Sequence, residues 1–152
     1  VWLAEAASEA AVKVGFGGDG AEAGAIRAAN PEAVITGWQT PAQVQAWIGK
    51  ARALVFPSLW YEGQPLVPME ALGRGVPVVA GKWSAAHECI QHDVNGVIYE
   101  RPEVTELARS LEAVSSLNVF DTSDVFAAIS PEKHLRNLLE IYRNLSAKQA
   151  LA

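Results

Sequence analysis

Cysteine, methionine, histidine and charge are all scarce in this chain of 152 residues. Its one cysteine, Cys89, cannot form an internal disulfide, which excludes the cross-linked framework of small secreted domains. A lone thiol suits a reducing compartment, so the cytoplasm is the expected location, and Cys89 reads as a small buried helix residue. The three histidines are too few for a metal site, and no metal is expected. Charged residues make up 19% of the chain and the formal charge is −5, which leaves no basic surface for nucleic acid. No apolar run approaches the roughly 20 residues that cross a bilayer.

What remains is half hydrophobic, enough for a core and too apolar for disorder. Short apolar runs alternate with helical patterns. Strands are expected at 12–16, 33–36, 53–56, 76–80 and 97–99. Helices are expected at 1–11, 21–29, 41–50, 66–72, 85–90, 103–116 and 131–148, with a helical or turn region at 121–130. Thr40 and Pro41 read as the N-cap and first position of their helix. Such alternation predicts an α/β fold, a Rossmann-like doubly wound parallel sheet. Ligands of such sheets sit beyond the carboxyl ends of the strands. The loops at those ends are 17–20, 37–40, 57–66 and 81–87.

The chain is organised around residues 58–80. A buried strand ends at Pro57 and Ser58, a Gly/Pro loop follows, and a two-turn helix opens where Pro65 and Pro68 need no N–H. Gly73, Gly75 and Pro77 stop that helix. Glu62 and Glu70, eight positions apart, bracket its start. A helix N-terminus with free N–H groups suits an anion, and Leu66 and Val67 are the donors left between the two prolines. Two ionised carboxylates would repel a phosphate, so they suit hydroxyl groups on either side of it. A nucleotide sugar has that layout, with ribose hydroxyls on one side of a diphosphate and sugar hydroxyls on the other.

The Glu-x7-Glu element, with Phe-Pro-Ser before it and Glu-Ala-Leu-x-x-Gly-Val-Pro-Val-Val after it, resembles the donor-binding half of GT-B retaining glycosyltransferases of the family 4 type. Glu88-Cys89-Ile90 and Asn95-Gly96-Val97-Ile98-Tyr99 extend the resemblance over nearly the whole chain. It implies a nucleotide-sugar-binding domain, residues 1–152, bound to a UDP- or GDP-sugar, with no cofactor and no metal. It gives Glu62 the donor sugar and the reacting centre, and Glu70 the ribose. Gly63, Gln64, Pro65, Leu66, Val67 and Ser58 belong to the donor loop, Gly37 and Trp38 to the base pocket, and His87 to the distal loop. Trp60 and Tyr61 either wall the sugar pocket or fill the core, and Lys82 reads as solvated.

Three departures stand out. Gln64-Pro65 replaces the family's commoner Phe-Gly. Ala85-Ala86 replaces Gly-Gly, and two Cβ atoms there are expected to crowd a ligand. Residues 1–11 are too short to hold both the strand that normally opens this half, central in the family's sheet, and its helix. The resemblance therefore implies a domain lacking its first strand, cut from a longer enzyme and inactive alone. Acceptor, and any membrane contact, would belong to the missing N-terminal domain. A sugar-nucleotide 2-epimerase of the same fold is the rival enzyme, and a binding module without catalysis the rival of another class. A nicotinamide-binding domain is a third and weak alternative, since Gly17-Gly18-Asp19-Gly20 lacks the dinucleotide fingerprint and reads as a tight turn.

Overall fold

The computed structural model describes residues 1–118, 120–123, 125, 127 and 130–149. The chain divides into two compact units, Val1–Phe120 and Asp121–Ala152.

In the first unit helices and strands alternate. They are α1 (Trp2–Glu9), β1 (Gly15–Phe16), α2 (Ala23–Ala29), β2 (Val34–Ile35), α3 (Pro41–Ile48), β3 (Leu54–Phe56), α4 (Leu66–Leu72), β4 (Val78–Gly81), a 3-10 helix (Ala85–Cys89), β5 (Gly96–Tyr99) and α5 (Val104–Ser115). Every strand pair is parallel, as the alternation predicted. The chemistry expected at two helix ends is present. Thr40 and Gln43 form a reciprocal capping box ahead of Pro41. Gly75 takes φ +73° beyond α4, and the Val76 N–H closes onto the Ala71 carbonyl.

The sheet is divided. β1 pairs with β2, and β3, β4 and β5 pair in that order. Between β1 and β3 lies a cleft of about 540 Å³, lined by Val14 and Gly15 on one side, Leu54 and Val55 on the other, and Trp47 and Leu111 from the helices. The single continuous sheet expected from the alternation is thus interrupted. β1 pairs over two residues, where a strand of five was expected.

The core lies under β4 and β5. Val79, Val97 and Tyr99 pack against Leu107, Ala108, Leu111 and Val114 of α5 and Leu3, Ala6 and Ala7 of α1. Alanines at 4, 6 and 7 are fully buried, so α1 approaches its neighbours closely. Trp2 and Trp83 set ring edges against Tyr99 at centroid distances of 5.9 and 5.2 Å. Asn95 ends a turn that leads directly into β5 at Gly96. The left-handed residue is Asp93, at φ +62°. Gly96 is needed for another reason: a Cβ there would strike the Val78 carbonyl oxygen.

In the second unit α6 (Pro131–Gln149) is one helix of 19 residues. The Ser130 hydroxyl accepts from the Lys133 N–H at its start. The Ser123 N–H donates to Asp121, and this backbone bond, then the Ser123 hydroxyl, holds the carboxyl below its ordinary range. The expected region at 121–130 falls partly outside the described residues. None of the described helices is long and apolar enough to cross a membrane.

Candidate donor site

The site loops follow the carboxyl ends of β1, β2, β3 and β4, where a parallel α/β fold presents them. The first two are joined. The Gly18 N–H donates to the Gly37 carbonyl at 3.0 Å, and both glycines hold positive φ, +132° and +69°. A side chain at either would be strained. The loop at 37–40 leaves Trp38 89% exposed, so its ring takes no part in the core and is free to stack.

The loop after β3 is held from within. Ser58 is half-buried, and its hydroxyl donates to Glu62 Oε1 at 2.8 Å. The Ser58 Oγ also accepts from the Trp60 N–H at 3.3 Å. From β4 the Trp83 ring N–H reaches across to the Ser58 carbonyl at 3.0 Å. Leu59, Trp60 and Tyr61 are all exposed, which removes the core-filling reading for the two aromatics.

Pro65 precedes α4 and no side chain caps that helix. Pro68, Ala71 and Leu72 bury one face of α4, while Leu66 and Val67 are exposed at its first turn. The short helix leaves them outside, because only its later turn meets the sheet. Gln64 and Gly63 are exposed, and the Gln64 amide lies 3.9 Å from the Met69 sulfur.

Glu70 lies on the exposed side of α4. Its Oε2 accepts from Gln45 Nε2 of α3 at 2.6 Å, and Gln45 Oε1 in turn accepts from Arg74 Nε at 2.6 Å. Sequence reasoning missed Gln45 and Arg74. The four-residue spacing from Glu70 to Arg74 was visible, but the link through α3 required the fold.

The loop after β4 is better filled than its sequence suggested. Ser84 is fully buried and its hydroxyl accepts from the Ala86 N–H. Ala85 and Ala86 are buried at 8% and 1% exposure, so their methyl groups face protein and cannot crowd a ligand. The His87 Nδ1 lies 2.7 Å from the Ser84 carbonyl, which places a proton on that nitrogen. Lys82 pairs with Glu100 at 2.9 Å. The Cys89 thiol donates to the Ala86 carbonyl. Burial, with a smaller push from Glu88, raises its pKa against a lowering backbone hydrogen bond, which keeps the thiol protonated. The cleft between β1 and β3 is lined by none of these site residues.

Comparison with known proteins follows the same lines. The sequence model described as "Glycosyl transferases group 1" matches residues 2–116. The amylovoran biosynthesis glycosyltransferase AmsK of Erwinia amylovora is 29% identical over 86 residues, covering 53% of this chain and 21% of its own. TarM superposes with a TM-score of 0.70 at 26% identity, over 94% of this chain and 30% of TarM. HepE of Anabaena, solved with UDP-glucose, superposes with a TM-score of 0.58 at 21% identity, over 88% of this chain and 44% of HepE. The chain thus spans less than half the length of each of these three proteins.

Proposed function

This chain belongs to the group 1 glycosyl transferases, and from that premise we propose that it is the donor half of a longer hexosyltransferase. It binds a nucleotide-diphosphate sugar, while a further domain holds the acceptor. The observation that carries this reading is the family match over residues 2–116, which takes in the donor loop with Glu62 and Glu70. HepE, which was solved with UDP-glucose, supports a UDP-sugar as the first donor to try.

Glu70 receives the ribose hydroxyls and Glu62 the sugar hydroxyls. The uncapped amides of Leu66 and Val67 face the diphosphate, Gly37 and Trp38 the base, and Gly63, Gln64, Pro65 and Ser58 shape the loop. His87, its Nδ1 occupied by the Ser84 carbonyl, offers Nε2 as an acceptor for a sugar hydroxyl. In the reaction the bond from the anomeric carbon to the diphosphate oxygen breaks, and charge grows on the leaving diphosphate. Amide donors aimed there stabilise that charge without a metal. Transfer with retention and a cytoplasmic setting, for synthesis of a carbohydrate, complete the reading. The isolated chain, lacking an acceptor half, would bind donor without turning it over.

The test is calorimetric titration of UDP, GDP and UDP-glucose into the chain and its Glu70→Ala variant. The expected result is binding of one diphosphate, weakened about ten-fold or more in Glu70→Ala, as for loss of a hydrogen bond to a charged group. A folded chain that binds neither UDP nor GDP, or one indifferent to Glu70→Ala, would overturn the assignment.

A further inference from the structure

Glu70 is linked to two residues that its own motif does not contain. Arg74, Gln45 and Glu70 form a chain from guanidinium to amide to carboxylate, with both links at 2.6 Å. Each member acts in the only sense its chemistry permits. A guanidinium only donates and a carboxylate only accepts. The amide between them must therefore turn its oxygen to Arg74 and its NH2 to Glu70. Flipped over, it would set oxygen against carboxylate and NH2 against guanidinium. The charged ends also polarise the amide, which strengthens both bonds.

Two consequences follow for Glu70. Its Oε2 is committed to Gln45, whereas Oε1 accepts no hydrogen bond among the described residues. A carboxylate fixed by one oxygen and open at the other is prepared to accept hydroxyl donors, at less cost in side-chain entropy than a free glutamate. The interposed amide also keeps Arg74 off the carboxylate, so no direct ion pair competes with a ligand. Stability gives little reason for the chain of contacts. Glu70 and Arg74 are exposed and Gln45 is half-buried, and polar links in such settings contribute little. The two helices are anchored elsewhere, α3 by Ile48 and α4 by Pro68, Ala71 and Leu72.

We infer that Gln45 is a positioning residue that holds the Glu70 carboxylate in the orientation that receives the ribose hydroxyls, with Arg74 fixing Gln45 in turn. This rests on the donor reading above and adds to it two residues outside the Glu-x7-Glu element.

The experiment compares UDP with 2′,3′-dideoxyuridine diphosphate by calorimetry, on the wild-type chain, Gln45→Leu, Glu70→Gln and the double variant. Gln45→Leu should weaken UDP about five-fold, the scale of one hydrogen bond, and leave the dideoxy compound unchanged. In the Glu70→Gln background the same substitution should have no further effect on UDP. Gln45→Glu, which keeps size and the Arg74 contact but loses the donor NH2, should reproduce the loss if Gln45→Leu unfolds. Equal weakening of both nucleotides by Gln45→Leu would show a merely structural role and overturn the inference. So would no weakening of either while Glu70→Gln still weakens UDP. If Glu70→Gln itself leaves UDP untouched, the ribose assignment fails, and the role of Gln45 fails with it.

Discussion

The Trp83 indole N–H donates to the Ser58 carbonyl at 3.0 Å, tying the loop after β4 to the loop after β3. The same indole sets its edge against Tyr99, 5.2 Å between centroids. One side chain therefore spans from the core to the residue whose hydroxyl holds Glu62. Trp83→Phe keeps an aromatic ring and removes the donor. It should cost about 1 kcal/mol of stability, the net worth of one hydrogen bond. Urea unfolding followed by circular dichroism measures this, and a change below a few tenths would mean the link is not formed in solution.

Glu62 and Glu70 should separate by ligand. Glu70 belongs to the nucleotide end of the proposed donor and Glu62 to the sugar end. Glu62→Gln should leave UDP affinity within about two-fold while weakening UDP-glucose about five-fold or more. Glu70→Gln should weaken both to the same degree. Calorimetry with the two ligands reads the difference, and parallel losses for UDP in both variants would contradict the division of roles.

Tyr99 is 2% exposed and its hydroxyl has no hydrogen-bond partner among the described residues. An unpartnered buried hydroxyl gives nothing back for its lost hydration. Tyr99→Phe should be neutral or stabilise the fold by up to about 1 kcal/mol. Thermal melts at pH 7 decide this, and a loss above that size would reveal a partner.

Burial, and to a lesser extent Glu106, raises the Tyr99 pKa above its ordinary 10.0. Burial likewise raises that of Cys89 above 9.0. Both groups bind their protons more tightly folded than unfolded. Their contribution is therefore fully present below the unfolded values and is lost progressively as pH rises above 9.0, for Cys89, and above 10.0, for Tyr99, toward the raised folded values. Melting temperature should fall across that window. Tyr99→Phe should flatten the part above pH 10, and identical profiles for the two proteins would refute the assignment.

Gly96 faces the Val78 carbonyl oxygen across β4 and β5, where a Cβ has no room. Gly96→Ala must push β4 and β5 apart and should cost about 3 kcal/mol or more. Gly63→Ala, at a glycine with open space around it, is the control and should cost well under 1 kcal/mol. Comparable melting temperatures for the two variants would mean the strands accommodate the methyl group.

The order of strands and helices was legible along the chain because short apolar runs, caps and glycine stops are local. Thr40 with Gln43, Pro41, and the glycines after α4 each act within a few residues. The Glu-x7-Glu spacing and its flanking residues likewise sat in one continuous stretch, enough to place Glu62 and Glu70 beside the same helix start. Other features depend on residues far apart in sequence. Gln45 meets Glu70 only because α3 and α4 are neighbours, and Trp83 meets Ser58 only because β3 and β4 pair. Burial of Ala85 and Ala86, exposure of Trp38 and Trp60, and the division of the sheet depend on what the folded chain sets against each residue. Local chemistry wrote the elements and the motif into the sequence, whereas long-range packing decided which side chains are covered and that Glu70 meets Gln45.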